Sequence, residues 1–211
     1  MSTYRKYPST PHLPWSPCVQ PDDVTLDATS LLEGKEVVVV EKLDGENTSM
    51  YPDYIHARST NPRPHPSRDY VKALHGQIRG NIPPGWRLVG ENVYALHSIF
   101  YDNLEGYFYL FSIWDEHDVC LSWDEVREWA ALLELPTPKE FYRGIWDEKT
   151  IRAIRVDTQT CEGYVVRTVE GFAYKDFARH VAKWVRPNHI QTDEHWMNRA
   201  VVPNKLRTES R

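Results

Sequence analysis

Five charged side chains stand in or beside apolar stretches that are typical of core strands. They are Lys42, Arg58, Glu91, Glu162 and Lys183. A single lysine or glutamate in such a place is more often a solvated strand end, because a buried charge is costly unless it is paired. Five of them in one chain indicate a polar cleft lined by sheet. Cations hold phosphates and carboxylates bind divalent metals, so this set suits a polyphosphate with a metal ion.

Lys42 has two interpretations from its local sequence alone. The segment EKLDGEN, residues 41–47, follows four valines, so the lysine comes where a buried strand ends before an Asp-Gly turn. Lys42 is either a solvated strand end paired with Asp44 or Glu41, or a nucleophile at the mouth of a pocket. An amine attacks only when neutral, and the pKa of a free lysine is about 10.4. We therefore expect a metal and cations such as Lys183 to favour the neutral form.

Hydrophobic periodicity predicts the elements that must position these groups. Strands are predicted over residues 36–42, 48–51, 54–58, 86–94, 106–115, 161–168 and 180–186. Helices are predicted over residues 68–79 with Ser67 as cap, over 122–135 with a Ser122–Glu125 capping box, and near 147–154. Because the connections are short, the strands are expected to be mostly antiparallel. The fold class is therefore α+β, with antiparallel sheets flanked by helices.

The chain is expected to form one main domain with two appendages. Residues 1–21 contain regularly spaced prolines, which predict an extended arm lying on the domain. Residues 22–190 form the predicted domain. Residues 191–211 are predicted as a helical tail, and no separate OB-fold or C-terminal domain fits the sequence.

The formal net charge is -5, which argues mildly against a nucleic acid partner. The charge is unevenly spread, however. Between His56 and Gly90 six cations oppose Asp69 alone, so an acidic protein is able to carry a basic face. Three widely spaced cysteines, no signal sequence and no long apolar run make a cytoplasmic protein without a membrane segment the expectation.

The motifs follow one another in an order that resembles a known family. They are Lys42-Leu43-Asp44-Gly45, the HARS stretch with Arg58, Gly90-Glu91, the aromatic strand YFYLFSIWD, Glu162-Gly163-Tyr164-Val165 and Val181-Ala182-Lys183. Together they resemble the covalent nucleotidyltransferases, and among these the ATP-dependent RNA ligases. The resemblance covers residues 36–186. It implies a nucleotidyltransferase adenylation domain of ATP-grasp-like ligase type.

The activity implied by this resemblance has three steps. Lys42 attacks the α-phosphorus of ATP, releases pyrophosphate and forms a lysyl-AMP adduct, with Mg²⁺ or Mn²⁺ as cofactor. The AMP group then passes to a 5′-phosphate end of RNA. Finally, a 3′-hydroxyl end attacks the activated phosphate and the strand is sealed.

The resemblance also implies roles for individual residues. Glu91 and Glu162 are implied as metal ligands, with Glu91 alternatively on the ribose. Arg58 and Lys183 are implied as phosphate contacts. The nucleotide-binding set is completed by Glu41 on the adenine edge, Asn47, which RNA-sealing members carry, Phe111 stacked on adenine, and Asp44 and Gly45 of the motif. Gly45 lacks Cβ, so we expect it to let the backbone approach the nucleotide. Phe111 has the alternative of a simple core aromatic.

Two departures from the family pattern stand out. The fifth motif usually has a second lysine where this chain has Val185, so Arg186 or Lys175 is left as the second phosphate contact. The sequence also leaves little chain beyond that motif, so a minimal single-domain enzyme is expected. A partner protein, the arm or the tail would then help to grip RNA.

Three other functions remain open from the sequence. The first is a DNA ligase, and the second is a GTP-using capping-type nucleotidyltransferase. The third is a catalytically silent module that binds nucleic acid. For an RNA ligase, part of the basic set is predicted to line the path of RNA phosphates to Lys42, and the alternative is a solvated helix face. The set is Arg58, Arg63, Arg68, Lys72, Arg79 and Arg87, of which Arg63, Arg68 and Lys72 are the ones to neutralise together in a test.

Overall fold

A computed structural model describes residues 4–60, 64–187 and 200–208. Its strands are β1 Glu36–Lys42, β2 Glu46–Met50, β3 Ile55–Ala57, β4 Arg87–Asn92, β5 Phe108–Trp114, β6 Val119–Cys120, β7 Glu140–Ile145, β8 Gly163–Thr168, β9 Phe172–Ala173 and β10 Val181–Val185. Its α-helices are α1 Asp69–Ile78, α2 Trp123–Leu132 and α3 Glu148–Arg152. Short 3₁₀ helices cover Thr29–Leu32, Pro66–Arg68, Arg79–Asn81 and Tyr174–Arg179. Among these described residues no helix is both long and apolar enough to pass through a bilayer.

The strands form two sheets in which every pairing is antiparallel. One sheet has the order β10-β8-β1-β7, and the other has the order β3-β2-β4-β5-β6-β9. The predicted α+β class with antiparallel sheets is therefore confirmed. Strand β1 is central in its sheet, and its four valines at 37–40 are almost completely buried.

The two faces of β1 enter different parts of the core. Val38 and Val40 pack in a hydrophobic cluster with residues of β4, β5, α1 and α2. Strands β4 and β5 belong to the six-stranded sheet. Val37 and Val39 face a second cluster that contains Leu13 and Trp146. Because side chains alternate along a strand, Lys42 continues the face of Val38 and Val40, which is the face between the sheets.

Two predicted helix caps have opposite outcomes. The capping box is confirmed, because Ser122 Oγ accepts from the Glu125 amide and the Glu125 carboxylate accepts from the Ser122 amide at the start of α2. The Ser67 cap is wrong. Ser67 lies within the 3₁₀ turn that Pro66 begins, and Arg68 occupies the cap position of α1. The fixed φ of proline at that position favours a tight turn before the helix.

The predicted helical tail is wrong where it is described. Residues 200–208 contain no helix, and Pro203 and Leu206 form isolated bridges with Ala95 and Leu104. The Asn204 side chain, which is buried, donates to the Val93 carbonyl and accepts from the Tyr101 amide. These long-range contacts fix an extended backbone. Residues 191–199 and 209–211 of the predicted tail lie outside the described residues.

Candidate active site

A cleft of about 1600 Å³ opens between the two sheets. Ten of the eleven residues that the sequence singled out line it: Glu41, Lys42, Asp44, Gly45, Asn47, Arg58, Glu91, Phe111, Glu162 and Lys183. They come from seven strands or from the ends of those strands. The antiparallel pairing therefore gathers residues that are up to 142 positions apart in the sequence.

Lys42 ends β1 beside a buried carboxylate. Its Nζ donates to Glu162 Oε2 at 2.6 Å, and Glu162 is 1% exposed. Glu162 precedes β8, which pairs with β1 so that Gly163 lies opposite Lys42. The interpretation of Lys42 as an ion pair with Asp44 or Glu41 is therefore not what the structure contains. The lysine points into the cleft and pairs with the glutamate of the fourth motif.

The protein groups around Lys42 by themselves favour its charged form, so the expectation that a metal favours the neutral form stays a prediction. Burial alone lowers the pKa of Lys42, but the Glu162, Glu91 and Asp44 carboxylates outweigh burial and raise the pKa above its ordinary value. Lys183 behaves as expected for a crowded cation, because burial and Lys42 lower its pKa. As it stands, the cleft therefore holds Lys42 as an ammonium ion, and added positive charge is needed to release the amine.

Two glutamates give the cleft an acidic centre. Burial raises the pKa of Glu91 to about 8, and Glu162 adds to that rise while Lys42 opposes it. Among the described residues no three His, Cys, Asp or Glu side chains are grouped as a metal cage. A hard divalent ion often takes only one or two carboxylates and completes its shell with water and substrate phosphates. Glu91 and Glu162 fit that kind of site.

Asp44 anchors a loop. It is 4% exposed, and its Oδ2 accepts hydrogen bonds from the Ser98 amide, the Ser98 hydroxyl and the Ile99 amide at 2.7–2.8 Å. Tyr101 adds a fourth tie, because its hydroxyl accepts from the Asp44 amide. The motif aspartate therefore fixes the segment after β4, whose residues 95–98 form one wall of the cleft.

Gly45 is required by the packing of the protein itself. A Cβ added there would collide with the carbonyl oxygen of Asn92 in β4. Gly45 also lines the cleft, so its expected contact with a nucleotide stays a prediction. Gly163 is similar, because its φ of 155° and the nearby Trp184 carbonyl leave no space for a side chain.

The remaining cleft residues offer contacts of different kinds. Asn47 Oδ1 is buried and has no hydrogen-bond partner among the described residues, so it is able to accept a hydrogen bond from a ligand. Burial raises the pKa of Glu41, against Lys139. Phe111 is half-buried and packs edge-on against Tyr7. An unpaired acceptor, an aromatic ring and an acidic side chain in one cleft are typical of a site that holds a polar planar ligand.

Arg186 does not line the cleft. Its guanidinium donates to the Thr158 carbonyl at 2.7 Å and to Ser98 Oγ at 3.1 Å, and its backbone amide donates to the Glu162 carbonyl. Arg186 therefore links the segment 95–98, which Asp44 holds, to the segment that carries Glu162. The interpretation of Arg186 as the second phosphate contact is therefore not supported. Lys175 is exposed in a 3₁₀ helix outside the cleft.

Of the basic set predicted to line an RNA path, Arg58 and Arg68 line the cleft, and the path itself stays a prediction. Arg68 makes a two-point ion pair with Glu46, including Nε to Oε2 at 2.7 Å. Lys72 lies 3.5 Å from Asp69 in the next turn of helix. Arg63 lies outside the described residues. The two exposed cations that line the cleft in the described chain are Lys6 and Arg58.

The sequence analysis missed the contribution of residues near the N-terminus. Tyr7, Ser9 and Asp23 also line the cleft. No local pattern marks them, because each acts through a contact with a residue far along the chain. A buried histidine at position 12 in a proline-rich segment is the one unusual feature.

A protein-family model described as RNA ligase matches residues 35–185. Comparison with curated proteins finds no match. Among solved structures, the Naegleria gruberi RNA ligase with PPi has 19% identity and a TM-score of 0.53, over 77% of this chain and 53% of its own. An archaeal ATP-dependent RNA ligase has 16% identity and a TM-score of 0.58, over 86% of this chain and 48% of its own.

A third similar structure is a putative ATP-dependent DNA ligase from Aquifex aeolicus, with 20% identity and a TM-score of 0.53. The match covers 74% of this chain and 46% of that chain. At these identities the structures show a shared fold. The chain spans about half the length of the solved ligases that it matches.

Proposed function

The chain belongs to the RNA ligase family, and we propose that it is an ATP-dependent RNA ligase that works through a lysyl-AMP intermediate on Lys42. One observation carries the proposal. Lys42 Nζ lies 2.6 Å from the buried Glu162 carboxylate, in a cleft that also holds Glu91 and Lys183. A lysine pointing into a phosphate-sized cleft between carboxylates and cations is arranged for attack on a nucleotide.

The first step forms a P–N bond and breaks a P–O bond. The lone pair of Lys42 Nζ forms a P–N bond with the α-phosphorus of ATP, the bond to the bridging oxygen breaks, and pyrophosphate leaves with that electron pair. The amine loses a proton, and Glu162 Oε2 is positioned to receive it. Lys183 and Arg58 are placed to offset charge on the phosphates.

Glu91 and Glu162 would hold the divalent ion that such a reaction uses. A divalent ion at these carboxylates supplies positive charge that lowers the pKa of Lys42 and polarises the phosphate. Without it, Glu162, Glu91 and Asp44 raise the pKa of Lys42 despite burial. We therefore expect adenylylation to stop in excess chelator, while undiminished labelling would reject a metal role for these glutamates.

The size of the cleft favours a second substrate. Small-molecule pockets usually measure roughly 300–1,000 Å³, and this cleft is larger at about 1600 Å³. We propose that the additional space receives the 5′-phosphate end of RNA, to which AMP passes, and then the 3′-hydroxyl end. Asn47 supports RNA over DNA by its motif position, and its orphaned Oδ1 is free to accept from a hydroxyl.

Mass spectrometry of the purified protein after incubation with ATP and magnesium tests the adduct. We expect a mass increase equal to one AMP that is lost in Lys42→Ala and kept in Lys35→Ala, a control lysine outside the cleft. Labelling by GTP instead of ATP would favour a capping-type enzyme. An unlabelled parent protein would contradict the proposal and leave a silent binding module.

The second candidate function is DNA joining, which the similarity to the Aquifex aeolicus protein favours. Nicked duplexes that differ only in the sugar at the nick separate the two functions. We expect sealing of RNA ends and little sealing of an all-DNA nick. Faster sealing of the DNA nick would make the chain a DNA ligase with the same lysine chemistry.

A further inference from the structure

The described part of the predicted arm and the five residues after it, together residues 4–26, are called the arm below. They connect the two sheets across one side of the cleft. Arg5 contacts Asp118 at 2.6 Å, and the Tyr174 hydroxyl donates to the Lys6 carbonyl at 2.6 Å, on the side of the six-stranded sheet. Further along, the Leu13 amide donates to the Lys183 carbonyl at 2.8 Å, beside β10 of the other sheet. The arm is therefore a fixed wall of the cleft.

The arm touches three side chains of the proposed nucleotide site. The rings of Tyr7 and Phe111 lie 5.5 Å apart in an edge-on arrangement. Arg58 Nη2 donates to Ser9 Oγ at 2.7 Å. The third contact is with Lys183, whose Nζ lies 3.9 Å from Asp23 Oδ1. Of these contacts, the last brings a charged group of the arm to a cation of the site.

Asp23 is held by the backbone of its own turn. Its Oδ2 accepts from the Gln20 amide at 2.9 Å, and its amide donates to the Gln20 carbonyl. A buried histidine lies on the same oxygen: His12 is 1% exposed, with Nε2 at 3.2 Å from Asp23 Oδ2, a contact without hydrogen-bond geometry. His12 Nδ1 lies 2.9 Å from Ser16 Oγ, which accepts from the Val185 amide, so the ring is fixed against β10.

These contacts link His12 to Asp23 and Asp23 to Lys183. Lys42 and Arg58 both act on Lys183 as like charges, and its long side chain has several rotamers that lead away from them. Asp23 is the carboxylate of the arm that faces the ammonium group. At 3.9 Å the contact is longer than a tight ion pair, so the ammonium keeps hydrogen-bond donors for a phosphate.

We propose that Asp23, held by the Gln20 amide beside the buried His12 ring, is a positioning residue that holds the Lys183 ammonium group ready for the α-phosphate of the nucleotide. This inference rests on the proposed function, because the phosphate is that of ATP. The negative charge of Asp23 opposes binding of the phosphates slightly, while the position that it gives Lys183 favours the reaction. Its loss therefore affects the rate of adenylylation more than the affinity for ATP.

The test measures kcat and KM of ATP for lysyl-AMP formation in parent, Asp23→Asn, Asp23→Glu and Asp27→Asn. We expect Asp23→Asn to lower kcat by about 10- to 100-fold without raising KM. Asp23→Glu restores the charge and should recover most of the rate. Asp27→Asn makes the same charge change at an exposed position of the chain and should match the parent.

A second measurement does not depend on activity. Limited acetylation followed by peptide mass spectrometry reports how well Lys183 is held. In Asp23→Asn we expect Lys183 to be modified several-fold faster than in the parent, with Lys139 as internal reference. His12→Leu should produce a smaller change in the same direction, because it removes the buried ring beside Asp23.

The outcomes separate this inference from the proposed function. An adenylylated parent with an unchanged kcat in Asp23→Asn overturns the inference and leaves the function. A raised KM with an equal loss in Asp23→Glu indicates a damaged wall and also overturns it. If the parent forms no adduct, the proposed function fails, and an unchanged acetylation rate of Lys183 overturns the positioning role by itself.

Discussion

At the scale of single residues, Glu162 is the group on which the chemistry of Lys42 depends. It is almost fully buried, and it pairs with Lys42, the proposed nucleophile, at 2.6 Å. We expect Glu162→Gln to reduce the rate of lysyl-AMP formation at least about 100-fold, because an amide neither accepts the proton nor holds a hard metal ion. Quantitative mass spectrometry of the adduct over time measures this rate. Glu170→Gln, at an exposed position, is the matched control, and equal rates in both variants would contradict the role.

His12 makes folding stability depend on pH. Burial and Lys183 lower its pKa to about 4, against Asp23, while an unfolded histidine titrates near 6.5. As pH falls from about 6.5 to 4, the unfolded chain binds a proton that the folded protein does not. The free energy of unfolding should therefore decrease on acidification, by up to about 3 kcal/mol from this residue. Above pH 6.5 the contribution is constant.

Urea unfolding at pH 7 and pH 4.5 checks this dependence. We expect the loss of stability between the two pH values to be smaller in His12→Asn than in the parent. His117→Asn, which removes an exposed histidine, should lose as much as the parent. If His12→Asn loses the same amount as His117→Asn, the buried ring is not the source of the acid sensitivity.

At the scale of elements, glycines set the spacing of strands around the cleft. Gly163 begins β8 with φ at 155°, and a Cβ there would overlap the Trp184 carbonyl of β10. We expect Gly163→Ala to lower the free energy of unfolding by roughly 2 kcal/mol or more, because both the backbone and the pairing are strained. Chemical denaturation measures the change.

Gly76 provides the matched control. It lies inside α1, and an added Cβ would meet nothing within 4 Å. Gly76→Ala should therefore stabilise the protein by about 1 kcal/mol, since alanine is the better helix former. Destabilisation of similar size in both variants would contradict the argument from strand spacing.

The elements also explain how far sequence reasoning reaches. The strands that carry Lys42, Glu91, Phe111 and Lys183 were predictable because buried apolar runs flank each of them. β7 was missed, since Glu140–Ile145 lies at a sheet edge with little burial and no clear alternation. The structural contacts of Asp44 and Gly45 were not predicted because both are made with residues about 50 positions away. Periodicity reports burial of a segment, but it carries no information about its distant partners.

At the scale of the whole molecule, the distribution of charge determines which cations are available to the proposed RNA substrate. Net charge is -5, and Arg68 of the basic segment is tied to Glu46. Lys6 and Arg58 are the exposed cations along the described cleft. We expect Lys6→Gln with Arg58→Gln to reduce the slope of log Kd against log salt by about 1.4, from roughly 0.7 per single-strand phosphate contact. Fluorescence anisotropy with a 5′-phosphorylated RNA across a salt series measures the slope.

The paired control neutralises Lys72 and Arg79 on and beside α1. Both are exposed and outside the cleft lining, so the slope should change by less than half as much. A larger change in this control would support the path predicted from the basic segment. It would then be the surface of α1, rather than the cleft, that holds the phosphates.

The attachment of the arm to β10 has a consequence for the order in which the site is assembled during synthesis. Residues 11–16 emerge from the ribosome early, but their partners Lys183 and Val185 follow about 170 residues later. Contacts of such sequence separation form late, because a long loop must close before they are gained. A nascent chain is therefore able to fold much of both sheets while the wall beside Lys183 is still open. The wall beside Lys183 is then completed only after β10 has been made, late among the contacts of the described residues.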